Sequence, residues 1–223
     1  MKIASQILNF ESELSDEAIT VLSVENVQAY RMIVCAFENG SIDEHIVFSS
    51  DFKPFEFYKK GIFISNPLNI GFVDKRFQNK INARLLDFAN ETEQVFKLKS
   101  TMLNFADDLV KMCDFNLTYD SEFDLMDFIK MMAFKVNTSD LSFSEVFVKF
   151  VLMMSEYLSV ELFVVLNLHL CFTRSEIEHI FETLLLNHIV LISLNRIQPQ
   201  QVINGEKHIV IDKDLCLIDN SLF

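Results

Sequence analysis

A strand–helix pattern appears twice in this chain of 223 residues, over 1–66 and again over 155–223, and a long block of helices separates the two. The flanks read as two parts of one sheet body. The middle, 67–154, then reads as an insertion that projects from that body. A sheet body carrying a helical arm suits assembly or binding better than a compact enzyme. Only four glycines and three prolines are present, which argues against a loop-rich barrel and against any site built from glycine loops.

Hydrophobic spacing places the elements. Ile19–Val24 (ITVLSV) is a continuous apolar run, expected as a buried strand, and it leads into a helix over Glu25–Glu38 that stops at Asn39-Gly40. His45–Ser50 and Gly61–Ser65 read as further strands, and Asn66-Pro67 as the point where the chain leaves the sheet body. In the insertion, Asp74–Asn90 and Glu91–Cys113 carry apolar stripes at helical spacing. At 1.5 Å per residue, two such helices give an arm on the order of 30 Å. A helix over Glu122–Met132 is expected between two short strands, Leu117–Tyr119 and Phe134–Asn137.

Two capping boxes follow, Ser142-Phe-Ser-Glu145 and Thr173-Arg-Ser-Glu176. In each, the hydroxyl and the carboxylate satisfy the first free amides of a helix. The first returns the chain to the body, and the second opens a helix to about Asn187. Glu161–Leu166 and Ile189–Leu194 are central strands by their unbroken apolar content, and His208–Ile211 with Leu215–Ile218 form a closing hairpin.

Half of the residues are hydrophobic, so a packed core is expected and global disorder is not. Cys35, Cys113, Cys171 and Cys216 are widely spaced, which fits reduced thiols of a cytoplasmic protein rather than a disulfide framework or zinc site. No secretory signal is expected, and no apolar run is long enough to span a bilayer, so no membrane partner is expected. The formal net charge of −13 argues against a nucleic-acid partner. The charge is uneven, however: the insertion holds just over half of all Lys and Arg. A ring or groove can be basic inside and acidic outside, and a total hides that.

Alternating strands and helices invite a nucleotide-binding reading, but neither G-x-x-x-x-G-K-[ST] nor G-x-G-x-x-G occurs. Where a phosphate needs unobstructed amides, Ile19–Val24 runs straight into Glu25-Asn26. No H-E-x-x-H pair and no G-x-S-x-G elbow is present either, so no positive case for catalysis arises, although triads converge in space rather than in sequence. Asp120, Glu122, Asp124 and Asp127 offer hard oxygens for Ca²⁺, or else complement a helix dipole. The basic candidates are Lys53, Lys59 and Lys60 near the junction, then Lys75, Arg76, Lys80 and Arg84, then Lys130 and Lys135; a solvated helix face has the same look.

An ordered series of segments carries a family resemblance. Thr20–Val27 (TVLSVENV) is a strand entering a helix through an acidic turn, followed by Gly71-Phe72 and the helix end Phe88–Glu91 (FANE). Tyr119-Asp120, Glu122–Lys130 (EFDLMDFIK) and Phe134–Val136 come next, then Glu161–Asn167 (ELFVVLN), Phe172–Ile177 (FTRSEI) and Ile189–Arg196 (IVLISLNR). The chain resembles the ring-forming adaptation proteins of type II-A CRISPR loci, the Csn-two family.

That resemblance implies an α/β head, Rossmann/RecA-like without a phosphate loop, interrupted by an inserted α-helical leg. It implies a homotetrameric ring around double-stranded DNA, entered at free ends, with lysines on phosphates and structural Ca²⁺ in the leg. It further implies work in spacer acquisition beside the CRISPR integrase proteins and the RNA-guided effector nuclease, without catalysis. Carried over by position, the metal set is Asp120, Glu122 and Asp127, and the DNA contacts are Lys130 and Lys135, then Lys53, Lys59, Lys60, Lys75 and Arg76. Fourfold repetition of a few lysines would meet the dense phosphate charge of a duplex, and backbone contact reads no sequence. Two alternatives stand beside this: a protein-interaction scaffold with no DNA role, and a degenerate nucleotide-binding ATPase.

Overall fold

The computed structural model describes residues 1–122 and 124–219. In chain order it begins with β1 (Lys2–Ser5), β2 (Phe10–Glu13), β3 (Ile19–Val24), α1 (Val27–Asn39), β4 (Val47–Ser50), β5 (Lys53–Pro54), α2 (Phe57–Lys60) and β6 (Gly61–Ile64). Three helices follow, α3 (Lys75–Asn90), α4 (Gln94–Met112) and α5 (Leu125–Met132). The remainder is α6 (Phe143–Leu158), β7 (Leu162–Leu166), α7 (Leu168–Cys171), α8 (Arg174–Leu186), β8 (Val190–Asn195), β9 (Glu206–Ile211) and β10 (Leu217–Asp219). Two compact units result: Met1–Gly71 with Thr138–Phe223, and Phe72–Asn137.

The first unit is built on a six-stranded sheet in the order β10-β9-β3-β8-β7-β6. All its pairings are parallel except β9 with β10. Every residue of β3 and β7 is buried, which explains their lack of charged residues: a parallel sheet is covered on both faces. Leu22, Val164, Ile192 and Ile209 join Ile33 and Phe37 of α1 in one core. Val21, Phe163, Val165 and Leu191, of opposite parity, are buried on the other face. This is an α/β head of the Rossmann/RecA-like kind.

Helix ends follow local chemistry. Gly40 closes α1 at φ +77°, a conformation free of Cβ strain only for glycine. Both capping boxes form as the spacing predicts: Ser142 and Thr173 each donate a backbone N–H to the carboxylate three residues on, at 2.7 and 2.8 Å.

Four sequence expectations change. A second, antiparallel sheet, β2-β1-β4-β5, was not expected, and the strand predicted over His45–Ser50 belongs to it as β4. Its strands are short, and β1 (KIAS) and β2 (FESE) show too weak an alternation to stand out. The units divide at 72 and 137 rather than at 67 and 154, because α6 packs with α8 inside the head; Phe147 of α6 meets Phe172 at the entry to α8, ring centroids 5.8 Å apart. Leu117–Tyr119 and Phe134–Asn137 are not strands. The helix expected from Glu122 starts at Leu125, since the Asp124 side chain accepts the Met126 N–H at 2.7 Å and so caps it; Phe123 lies outside the described residues.

In the second unit α3 is capped by Asp74 and meets α5 and α4. Between its helices lies an apolar hollow of about 540 Å³, lined among others by Leu85, Val95, Leu98, Leu125 and Phe128. No residue of α4 is buried. Phe105 and Met112 on its stripe are 64% and 82% exposed. Among the described residues no helix is long and apolar enough to cross a membrane.

Candidate nucleic-acid interface

Most of the basic candidates are either tied to a neighbouring acid or exposed without an ion pair among the described residues. In the head, Lys59 pairs with Glu56 at 2.8 Å and Lys60 with Glu161 at 2.6 Å. Lys53, on the edge strand β5, is exposed and has no ion pair among the described residues. In the helical unit Arg76 chelates Asp74, the cap of its own helix, at 2.9 Å. The Arg76 guanidinium holds the Asp74 carboxyl below its usual range, so part of the arginine's charge serves the helix start. Lys130 pairs with Asp127 at 3.0 Å across one turn of α5. Arg84 lies over the Phe88 ring, 5.6 Å from its centroid.

Lys75, Lys80 and Lys135 are exposed and free of ion pairs among the described residues. Gln78 ties the segment that carries Lys135 to α3. Its side-chain amide donates to Asn82 Oδ1 at 3.0 Å and to the Phe134 carbonyl at 3.1 Å. That bond holds the backbone just before Lys135 against α3, the helix that begins with Lys75. Lys97 and Lys99 on α4 are likewise exposed and unpaired among the described residues, and sequence reasoning passed over both. Their signal was their isolation: neither has an acid at i±3 or i±4 except Glu93, four residues before Lys97. Exposed pairs such as Lys130–Asp127 are worth little in water, so a phosphate can displace the acid, but unpaired lysines meet a polyanion with no such exchange.

The proposed metal residues do not converge. Asp120 Oδ1 accepts the Glu122 N–H at 2.9 Å in a local turn, and Asp127 is held by Lys130. Among the described residues no group of three or more His, Cys, Asp or Glu side chains is placed to hold an ion. Asp124, by capping α5, does the dipole work that carboxylates do at helix starts.

At the carboxyl end of β3, the place of a phosphate loop in this kind of head, Asn26 occupies the helix start. Its Oδ1 accepts the N–H groups of Gln28 and Ala29, both at 3.1 Å, and its Nδ2 donates to the Lys213 carbonyl at 2.8 Å. The amides that would receive a phosphate are thereby already bonded.

Elsewhere in the head sequence reasoning missed a buried charge. Glu206 Oε1 lies 2.6 Å from His169 Nε2, and Oε2 lies 2.7 Å from His208 Nε2 and 2.9 Å from the Ile203 N–H. Burial alone would raise this carboxyl, but hydrogen bonds from both imidazoles and the Ile203 amide overcome that and bring it down to about 2. Glu206 and His208, at i and i+2 of one strand, were the only sequence hint.

No curated protein matches the chain. Among solved structures, one described as an ABC transporter (ATP-binding protein) from Pyrococcus furiosus is 10% identical, with 93% of this chain and 97% of that chain covered and a TM-score of 0.43, too distant to bear on function. The family pattern of CRISPR-associated protein (Cas_Csn2) matches residues 40–215, most of the chain and both units. With a capped, loop-less strand–helix turn in the head and an inserted helical unit, this chain belongs to the type II-A CRISPR-associated Csn2 family.

Proposed function

We propose that this chain, which has a role associated with CRISPR adaptation, is a non-catalytic, sequence-independent binder of double-stranded DNA ends that works as a homotetrameric ring. The observation that carries this reading is the open lysine set of the helical unit, Lys75, Lys80, Lys97, Lys99 and Lys135, all exposed and without an ion pair among the described residues. Point charges on flexible stems neutralise phosphates without reading bases. The uncovered stripe of α4, including Phe105 and Met112, supports self-association, since exposed apolar patches of this kind mark interaction surfaces. The Asn26 plug supports a role without nucleotide hydrolysis. Ca²⁺ belongs to the proposal as a structural ion near Asp120, Glu122 and Asp127, brought together when copies associate. The integrase proteins and the effector nuclease are its expected partners.

Gel shifts on linear and covalently closed circular DNA of equal length test it. Linear DNA is expected to bind with Ca²⁺ present and closed circles not. A K75E/K135E chain is expected to lose linear-DNA affinity by tenfold or more, and each phosphate contact removed flattens the log–log salt slope by about 0.9. Equal affinity for circles and linear DNA rules out threading. Full partner binding with no DNA binding in any condition favours the scaffold.

A further inference from the structure

A hollow of about 430 Å³ lies in the head between Tyr30 of α1 and the loops leaving β7 and β8. That is within the roughly 300–1,000 Å³ of small-molecule sites. It opens at the carboxyl ends of parallel strands, where open α/β sheets hold their ligands. No residue of the Asn26 turn lines it, so it is distinct from the plugged helix start.

Its wall combines flat apolar surface with amides and one cation. Tyr30, Leu170, Ile197 and Pro199 supply the apolar part. Leu170 and Ile197 are 83% and 65% exposed, two large side chains left open at one rim. Asn167 and Asn195 bring amide groups, and Arg196 a guanidinium that has no ion pair among the described residues. None of the lining residues carries a carboxylate, in a chain whose formal net charge is −13.

The polar wall is fixed before any ligand arrives. Asn195 Nδ2 donates to the Ser193 carbonyl at 3.0 Å and its Oγ at 3.1 Å. The Tyr30 hydroxyl stands 3.5 Å from Asn167 Oδ1. His169 also lines the hollow; only 9% of its side chain is exposed, and Glu206 holds its Nε2. Its Nδ1 is buried with no partner among the described residues.

We propose that this hollow binds a mononucleotide, with the base against Tyr30, Ile197 and Pro199, base-edge hydrogen bonds to the side-chain amides of the wall, Gln198 and Gln200 among them, and the phosphate on Arg196. Amide side chains pair best with the donor–acceptor edge of adenine, and guanidinium is suited to phosphate. The nucleotide can be free or stand at the end of a strand, which share this chemistry.

Isothermal titration of the full chain with AMP, GMP, CMP and UMP, and with adenosine and ribose 5-phosphate as half-ligands, tests the site. AMP is expected to bind tightest, at one per chain, with each half-ligand at least tenfold weaker. Arg196→Gln removes the phosphate partner and is expected to weaken AMP tenfold or more while leaving adenosine unchanged. Leu170→Glu places a carboxylate at the rim and is expected to weaken every nucleotide. Both positions are exposed, so an unchanged melting temperature certifies the fold of each variant. A duplex with a short adenine 3′ overhang that displaces AMP assigns the site to strand ends, and one that fails to displace it assigns the site to free nucleotide. Absence of saturable binding of all four nucleotides up to about 10 mM, or undiminished affinity in both variants, overturns the proposal. Blunt-duplex binding retained by Arg196→Gln keeps the outcome separate from the DNA-ring reading.

Discussion

The head closes on itself and the helical unit does not. In the head, β3, β7 and β8 are sealed on both faces, and core residues come from helices and from a second sheet. In the helical unit, Phe77, Asn82 and Ile129 are the buried residues of its three helices. Its longest helix buries nothing, although its apolar content is ample. Apolar area stabilises a fold only when removed from water. One unit therefore carries its stability in a sealed core, and the other leaves much of its apolar surface open.

The largest effect is expected from cutting into the sealed region. Phe163→Ala, at a fully buried position of β7, is expected to cost about 3–5 kcal/mol, on the order of 10 °C in Tm for a chain of this size. Scanning calorimetry reads it; a shift of a degree or two would show that the head is far looser than its burial indicates.

Acid provides the second probe. The Glu206 carboxyl stands at about 2 in the fold against an ordinary 4.5. The unfolded chain thus takes up the proton first, and the stability Glu206 contributes is complete above 4.5 and lost as pH falls toward 2. Between those values Tm of the parent is expected to fall more steeply than that of Glu206→Gln, which is expected to be the less stable of the two at neutral pH. Parallel curves would mean that the two imidazoles do not hold the carboxylate as drawn.

The smallest folding effect belongs to the open stripe. Phe105→Ser is expected to change monomer stability by no more than about 0.5 kcal/mol, as surface substitutions do, while lowering the assembled mass seen by light scattering. A large loss of Tm with unchanged mass would reverse the contrast and place α4 in an intrachain core.

What could be read from sequence divides along the same line. The capping boxes at Ser142 and Thr173 were legible because four consecutive residues contain the whole device. The central strands were legible because burial on both faces leaves no charged and few polar positions, only the small Thr20 and Ser23 in a run such as ITVLSV. The stripe of α4 was legible as periodicity, but whether anything covers it is a tertiary fact that no spacing encodes. For the same reason α6 was assigned to the insertion: its apolar face reads alike whether it meets α8 or a leg helix. Within the candidate interface, the lysine positions could be named, whereas the Gln78–Phe134 bond that ties the segment before Lys135 to α3 spans 56 residues and left no local trace. The His169–Glu206–His208 group was hidden likewise, with one of its members 37 residues from the carboxylate.

The position of β3 sets a timetable for synthesis. It is the third strand made, yet its sheet partners are β8 and β9, the latter ending at Ile211. At about 5–20 residues per second, the ribosome needs on the order of ten seconds or more after β3 emerges before either edge of it can be satisfied. The three helices of the inserted unit emerge during that wait and need only near neighbours in the chain to form, so on the growing polypeptide the insertion takes shape before the sheet whose sequence it interrupts.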